Sequence, residues 1–355
     1  MWFSWLMLLV GLIIILIGCD VFTNSIEWLG KKLDLNEGML GSIFAAVGTA
    51  LPETLIPIVA VIFGASTGET ENAHDVGIGA IIGAPFMLAT VAMIVTGIAV
   101  VIFSRQGRRT TTMKVNSKIL SRDIRFFLLA FAIAIVAGFI ESQPVKIAIA
   151  IGLVAYYAFY VYKHATDPGE ESPDEDVEDL SPLHFARKYN EPPMSRVVLQ
   201  IIAGLGMSIG AATLFVQFVS EVATSLGVTT LILSLIIVPL ATELPEKFNS
   251  VLWVRRSKDT LALGNITGAM VFQSTLPVAF GIVFTDWHIT AEYAPAFAQA
   301  ALAIVAALIL FGMMVRQGRL SASALIMSGF WYVVWLVLVF PLELEKMVRN
   351  MGWLE

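Results

Sequence analysis

Apolar residues fill long, nearly uninterrupted stretches of this chain, and short polar connections separate them. Runs of roughly 20 apolar residues recur, each long enough to cross a hydrocarbon core about 30 Å thick as a helix. Strands of a membrane barrel would instead alternate apolar and polar positions over about 10 residues. The pattern predicts ten helical spans, approximately Phe3–Val21, Met39–Gly64, Val76–Phe103, Ile124–Ile140, Val145–Val161, Val197–Val219, Thr229–Val254, Leu261–Phe284, Ala294–Val315 and Ala322–Phe340.

One polar segment divides the chain near its middle. Asp167 to Asp179 is dense in acidic residues, contains two prolines and has almost no apolar residue, as expected of a solvated, partly disordered linker. A cation sensor is the alternative, but the segment lacks the ligand spacing of an EF-hand. We expect a five-helix repeat at 1–162, an acidic cytoplasmic linker at 163–195 and a second five-helix repeat at 196–355.

The composition supports a membrane protein. Hydrophobic residues make up 57% of the 355 residues, charged residues only 14%, and the mean hydropathy is +0.80. Charged residues are about 25% of an ordinary soluble domain. A short apolar stretch ending at Cys19 resembles a lipoprotein signal, but no basic residue precedes it, so an uncleaved first helix is expected.

The basic residues predict the orientation in the membrane. If the N-terminus faces outward, the inner connections carry 18 of the 22 Lys and Arg residues. Such a bias is what the positive-inside rule requires, so both termini are expected to be extracytoplasmic. We expect a multi-pass protein of the plasma membrane.

Two segments, 48–53 and 241–246, share a T-x-L-P-E pattern inside apolar runs. A proline and a carboxylate are both costly there, because the proline ring removes a helical hydrogen bond and the carboxylate must leave water. Five spans per half is an odd number, so the two segments enter the bilayer with opposite polarity. Each is followed by a G-x-x-x-G span, Gly79 to Gly83 and Gly264 to Gly268, which favours close helix packing. These features predict an inverted repeat with a shared ion site.

The residue types point to a hard cation. Pro52 and Pro245 are expected to break their helices and free backbone carbonyls where bulk water is absent. Thr49 and Thr242 add hydroxyl oxygens, and Glu53 and Glu246 add charge, which together form an all-oxygen site of the kind that Ca²⁺ prefers. Neither motif has the Cys, His or Met cluster of a soft-metal site. The alternative is a pair of buried carboxylates that only hold helices together.

This double pattern resembles the cation/calcium exchanger superfamily, whose best-known branch is the sodium/calcium exchangers. The resemblance covers both halves. It implies two repeats that meet at the bilayer centre, carboxylates that bind Ca²⁺ and the coupling ion alternately, and first and sixth helices that slide to switch access. It makes Glu53 and Glu246 the central Ca²⁺ ligands, with oxygens from Thr49 and Thr242.

The chain also departs from that family's pattern. The usual serine of G-T-S-L-P-E is Ala50 in one repeat and Glu243 in the other. Several expected Na⁺ ligands are missing after G-x-x-x-G, where the second half offers Gln273 instead. Lys247 lies one turn after Glu243, either as its ion-pair partner, as a side chain snorkelling inward, or as a charge that replaces a monovalent ion. The predicted site is Thr49, Glu53, Thr242, Glu243, Glu246 and Gln273, with Lys247 as a compensating charge.

The function expected is therefore antiport of Ca²⁺, or another divalent cation such as Mg²⁺ or Mn²⁺. Family likeness favours Na⁺ as the coupling ion, and the lost ligands favour H⁺; we rank Na⁺ first. An intramembrane enzyme is disfavoured because H-E-x-x-H is absent and the spans contain no aspartate pair. A channel is disfavoured by the repeat. The expected partners are inorganic cations and the lipid bilayer, with no cofactor, nucleic acid or protein partner indicated.

Overall fold

A computed structural model describes residues 2–32, 51–67, 70–166, 181–317 and 319–350. The predicted segment Asp167 to Asp179 lies outside these ranges, as does Thr49. The described chain is almost entirely helical, in agreement with the predicted all-α class. A two-residue antiparallel pairing joins strand β1, Thr112–Met113, to strand β2, Leu320–Ser321.

The described residues of the first half form six helices. They are α1 Trp2–Lys32, α2 Leu51–Thr67, α3 Thr70–Met87, α4 Met93–Arg105, α5 Ser117–Ala137 and α6 Gln143–Thr166. A π-helical turn, Leu88–Ala92, connects α3 directly to α4. Thus α3 and α4 together make the third predicted span.

In the second half, eight helices lie within the part of the chain that the structure describes. They are α7 Met194–Leu226, α8 Thr230–Thr242, α9 Leu244–Arg255, α10 Asp259–Gln273, α11 Leu276–Phe284, α12 Ala294–Gln317, α13 Ala322–Met327 and α14 Phe330–Asn350. Three of the five predicted spans are interrupted, between α8 and α9, α10 and α11, and α13 and α14. The number of ten crossings stays a prediction.

Seven helical stretches within the described residues are long and apolar enough to cross a membrane. The other three predicted spans correspond to two shorter apolar helices, Glu53–Ile62 and Thr230–Thr242, and to α5. Helix α5 begins earlier than the sequence suggested, because Asn116 caps it by accepting hydrogen bonds from the backbone N–H groups of Lys118 and Ile119.

The two halves pack against each other along much of their length. Helix α1 lies along α7, and α3 packs on α8. Helix α5 packs on α10 and α12 on α3; in the same way α6 packs on α11 and α13 on α4. The α5–α10 contact in one direction corresponds to the α12–α3 contact in the other, and the α6–α11 contact corresponds to the α13–α4 contact. Such matched contacts are expected of an internal repeat.

Buried apolar residues form two large clusters. One joins α3 to α6 with α8 and α10 to α14, and includes Phe127, Leu235 and Trp335. The other joins α1, α2, α7 and α8, and includes Ile15 and Phe215. The predicted site residues described by the structure lie on α2, α8, α9 and α10 or, for Glu243, between α8 and α9, and each of these helices contributes to at least one of the clusters.

Glycine sets the contact of the two halves at two places. A Cβ on Gly79 would lie 2.6 Å from Cβ of Ser234, and a Cβ on Gly83 would lie 2.7 Å from Cγ of Pro239. The first G-x-x-x-G is therefore a close-packing face against α8, as predicted. The second is not seen to act in this way, because Gly264 has no atom of the described chain within 4 Å of its Cβ position.

Candidate cation site

The two T-x-L-P-E segments each begin a helix. Glu53 lies in the first turn of α2 and Glu246 in the first turn of α9, and their exposures are 2% and 0%. The predicted break in the second half is confirmed: α8 ends at Thr242, Glu243 stands between the helices, and α9 begins at Leu244. Pro245 favours this start, because the first turn of a helix needs no N–H donor there.

The predicted carboxylates of the two halves lie within electrostatic range of one another. Glu53 interacts electrostatically with Glu246, Glu243 and Lys247, although α2 and α9 belong to different halves of the chain. Neither carboxylate oxygen of Glu53 accepts a hydrogen bond from another described residue. Burial of an ionised carboxylate is costly unless a partner offsets the charge. A cation between the two halves would supply that partner.

Prolines remove further hydrogen bonds near these residues. Pro57 lies four positions after Glu53 and has no N–H to donate to the Glu53 carbonyl. Pro277 has the same relation to Gln273. Carbonyl oxygens are ligands that hard cations accept. The sequence reasoning missed both prolines, although their spacing of four residues from a polar position was a readable signal.

The remaining predicted residues have distinct surroundings. Thr242 is fully buried, but its hydroxyl donates to the Val238 carbonyl at 3.0 Å, so only its lone pairs are left for a ligand. Gln273 ends α10 at 1% exposure, and its amide has no hydrogen bond to the carboxylates or to any other described residue. Asn265 of α10 donates to the backbone carbonyl of Glu246 at 3.4 Å, which links the two helices.

Lys247 is buried beside the carboxylates. Its Nζ lies 3.1 Å from Oε2 of Glu243, and the two side chains are 7% and 0% exposed. Of the interpretations drawn from sequence, the structure shows the i,i+4 ion pair; the side chain does not snorkel to solvent.

A further buried carboxylate lies outside this cluster. Asp123 was placed just before a predicted span, but it lies in the second turn of α5 at 1% exposure. Tyr160 donates to Oδ1 at 3.1 Å and Thr267 to Oδ2 at 2.8 Å. Because basic residues flank Asp123, the predicted span begins one residue after it, at Ile124. Both carboxylate oxygens of Asp123 accept hydrogen bonds from hydroxyl groups. We therefore interpret Asp123 as a structural residue that connects α5 to α6 and α10.

Helices α1 and α7 cross next to the carboxylates. Cys19 of α1 interacts electrostatically with Glu53 and Glu246, and its sulfur lies 3.6 Å from the Ser208 hydroxyl of α7. A Cβ on Gly204 would lie 2.9 Å from the Gly18 carbonyl, so the two backbones are in contact. These long helices cover the site from one side.

A family model described as sodium/calcium exchanger protein matches residues 3–163 and 196–340. Putative antiporter CaxA of Alkalimonas amylolytica is 22% identical over 342 residues, which cover 92% of this chain and 97% of that protein. Sodium/calcium exchanger MaX1 of Methanosarcina acetivorans is 30% identical over 136 residues, 36% of this chain and 33% of that protein.

Two kinds of solved structure share the fold. The crystal structure of the H⁺/Ca²⁺ exchanger CAX has a TM-score of 0.71 at 16% identity, with 98% of this chain and 90% of that chain covered. A structure of the sodium-calcium exchanger NCX_Mj has a TM-score of 0.54 at 22% identity, with coverages of 94% and 97%. At these identities the likeness establishes the architecture, an all-helical membrane transporter fold.

Proposed function

Because the chain belongs to the sodium/calcium exchanger family, a family of transporters and not of enzymes, we propose that it is a secondary active antiporter. It exchanges Ca²⁺, or a related divalent cation, against Na⁺ by alternating access. One observation carries the proposal: Glu53 and Glu246, from opposite halves of the chain, meet in a buried cluster in which Glu53 accepts no hydrogen bond from another described residue.

The ligand chemistry suits a hard divalent ion. Ca²⁺ takes six to eight oxygens at about 2.3–2.6 Å, from carboxylates, carbonyls and amides. Here the carboxylates of Glu53 and Glu246 supply charge, Thr242 and Gln273 supply neutral oxygens, and the carbonyls released by Pro57 and Pro277 complete the set. In this proposal Thr49 contributes an oxygen ligand from the first half that corresponds to the Thr242 ligand from the second half. The ions are substrates, and no cofactor takes part.

Alternating access needs a part that moves past a fixed site. The α1–α7 pair is suited to this role because it belongs to a packing cluster separate from most of the second-half helices and lies against the carboxylates. Movement of that pair across the site opens it to one side of the membrane at a time. The two halves are arranged as inverted repeats, with both termini outside the cell membrane.

A proton is the second candidate for the coupling ion. The specific observation in its favour is the buried Lys247–Glu243 pair, since a lysine ammonium there leaves less room for Na⁺. A proton requires no cavity of its own, because it adds to a carboxylate oxygen.

The test is ⁴⁵Ca²⁺ uptake into proteoliposomes that contain the purified full-length protein. An outward Na⁺ gradient and an outward H⁺ gradient are imposed separately, and protein-free liposomes are the control. We expect uptake above that control with the Na⁺ gradient; uptake with the H⁺ gradient alone supports the second candidate. If neither gradient drives Ca²⁺, Mg²⁺ or Mn²⁺, the proposed function is wrong.

A further inference from the structure

Lys247 places a positive charge inside the proposed cation site. Its ammonium is 3.1 Å from Glu243 and is shielded from solvent, and Glu53 on the other half of the chain also interacts with it. Glu246 is the neighbouring residue in the first turn of the same helix. The lysine therefore belongs to the carboxylate cluster and is not a surface charge.

The formal charges of this cluster can be counted. Glu53, Glu243 and Glu246 contribute three negative charges, and Lys247 contributes one positive charge. Glu246, Glu243 and Lys247 are the charged groups that interact most strongly with Glu53. The net charge is −2, which one divalent cation or two monovalent cations balance.

Within the described residues that follow Gly83, few side-chain oxygens are offered to additional ions. Gln273 lies five residues after Gly268, and the same position after Gly83 is Leu88, a fully buried apolar residue of the π-helical turn. Thr90 follows two residues later, but its hydroxyl donates to the Phe86 carbonyl at 2.6 Å. A site to which the G-x-x-x-G span contributes a side-chain amide in the second half but not in the first is suited to fewer ions than a symmetric one.

We propose that Lys247 is a tethered cation that replaces one coupling ion, so that this protein exchanges one divalent ion for two monovalent charges without net charge movement. The inference rests on the proposed function and adds its stoichiometry. Lys247 stays within the protein while the transported ions cross, so its charge makes no contribution to the membrane current. A site with three uncompensated carboxylates would instead bind three monovalent ions and move one net charge per cycle.

Membrane potential distinguishes the two stoichiometries. Proteoliposomes with K⁺ and valinomycin are clamped at 0 and −100 mV, and the plateau of ⁴⁵Ca²⁺ accumulation is measured with whichever gradient drives wild-type uptake. Movement of one net charge changes that plateau about 50-fold per 100 mV at 25 °C. We expect a change of less than twofold for the wild type. A change near 50-fold overturns the inference but leaves the antiporter intact, whereas absence of uptake overturns the proposed function as well.

Two variants test whether the lysine sets the charge. Lys247→Met keeps the length of the side chain and removes its charge, so accumulation should become sensitive to potential. The double variant Lys247→Met/Glu243→Gln removes both partners, restores a net charge of −2 and should again be insensitive. If Lys247→Met accumulates Ca²⁺ without sensitivity to potential, Lys247 does not set the stoichiometry. If a variant elutes as an aggregate in size-exclusion chromatography, the stoichiometry is still tested by the potential dependence of the wild type.

Discussion

At the scale of single residues, Glu53 and Glu246 could be found from sequence because a rare local pattern occurs twice. A carboxylate after Leu-Pro inside an apolar run is costly, and the matched position in each half predicts a functional role for both. The structure adds what no pattern contains, namely that the two side chains share one buried cluster.

Substitution of either glutamate should abolish transport. Glu53→Gln or Glu246→Gln preserves shape but removes the charge that offsets ion dehydration, so we expect ⁴⁵Ca²⁺ flux to fall on the order of 100-fold in a folded protein. Glu221→Gln, at an exposed carboxylate of α7, is the matched control and should transport normally. If either Glu53→Gln or Glu246→Gln transported Ca²⁺ at the wild-type rate, the cation site would have to lie elsewhere in the protein.

Gln273 gives a finer test of the ligand set. Gln273→Leu copies the apolar residue found at the equivalent place in the first half, and loss of one oxygen ligand should raise the KM for Ca²⁺ about tenfold, or ~1.4 kcal/mol. Gln273→Asn retains an amide oxygen and should show a smaller increase. Equal KM values for the Leu variant and wild type would remove Gln273 from the site.

Other buried charges could not be predicted, because burial depends on partners far away in sequence. Lys146 lies near the start of the predicted span Val145–Val161, and it is 1% exposed and donates to the Trp287 carbonyl at 2.7 Å. Asp123 is similarly held by Thr267, 144 residues later. A charge next to an apolar run marks the membrane boundary unless the tertiary fold supplies a partner.

At the scale of elements, apolar length predicted where helices lie but not where they are interrupted. The break at Glu243 follows from Pro245, whereas the break before Leu276 and the π-helical turn at Leu88–Ala92 were not predicted. Proline also occurs inside helices here, as Pro85 does in α3, so its presence alone does not set a boundary. Packing against neighbouring helices decides which prolines end a helix.

Helices α1 and α7 should move as one unit, because their backbones touch at Gly18 and Gly204. Ser208→Cys places a second thiol beside the native Cys19, whose sulfur is 3.6 Å from the Ser208 hydroxyl. Oxidation should form a disulfide, checked by loss of maleimide-reactive thiols, and should leave ⁴⁵Ca²⁺ exchange largely intact. Exchange that stops on oxidation and returns with dithiothreitol would show that the two helices slide past each other.

At the scale of the whole molecule, three connections on one face are tied together. Arg109 Nη2 donates to Oδ2 of Asp259 at 3.0 Å, its Nη1 lies 2.8 Å from Oδ1, and both side chains are buried. The strands β1 and β2 pair beside them. These contacts bring together connections that the charge bias assigns to the same side of the membrane.

Removal of the arginine should weaken the whole fold. Arg109→Ala leaves the Asp259 carboxylate buried without its charge partner, a change that costs about 3–5 kcal/mol in comparable pairs. We expect a lower melting temperature in detergent, followed by tryptophan fluorescence. Arg109→Ala/Asp259→Asn should recover part of the loss; no recovery would mean that the arginine acts by packing and not by charge.

The orientation in the membrane remains a prediction from the basic residues. In a Cys19→Ser background, Gly107→Cys and Glu175→Cys should resist an impermeant maleimide added to intact cells, whereas Glu141→Cys, on the opposite face, should react. All three should react in opened membranes. Labelling of position 107 or 175 from outside would reverse the orientation, and labelling of 107, 175 and 141 together would contradict the order of crossings.

The glycine face of α3 also has a consequence for biosynthesis. Gly79 contacts Ser234, which the ribosome adds 155 residues later. At about 5–20 residues per second, α3 waits roughly 8–30 s for α8 to arrive. During this time lipid chains must occupy the groove, and glycine offers them no polar side chain and no protruding one. We therefore expect the bilayer to tolerate newly made α3 until translation delivers α8, so that the contact between these two helices forms after α3 has been inserted.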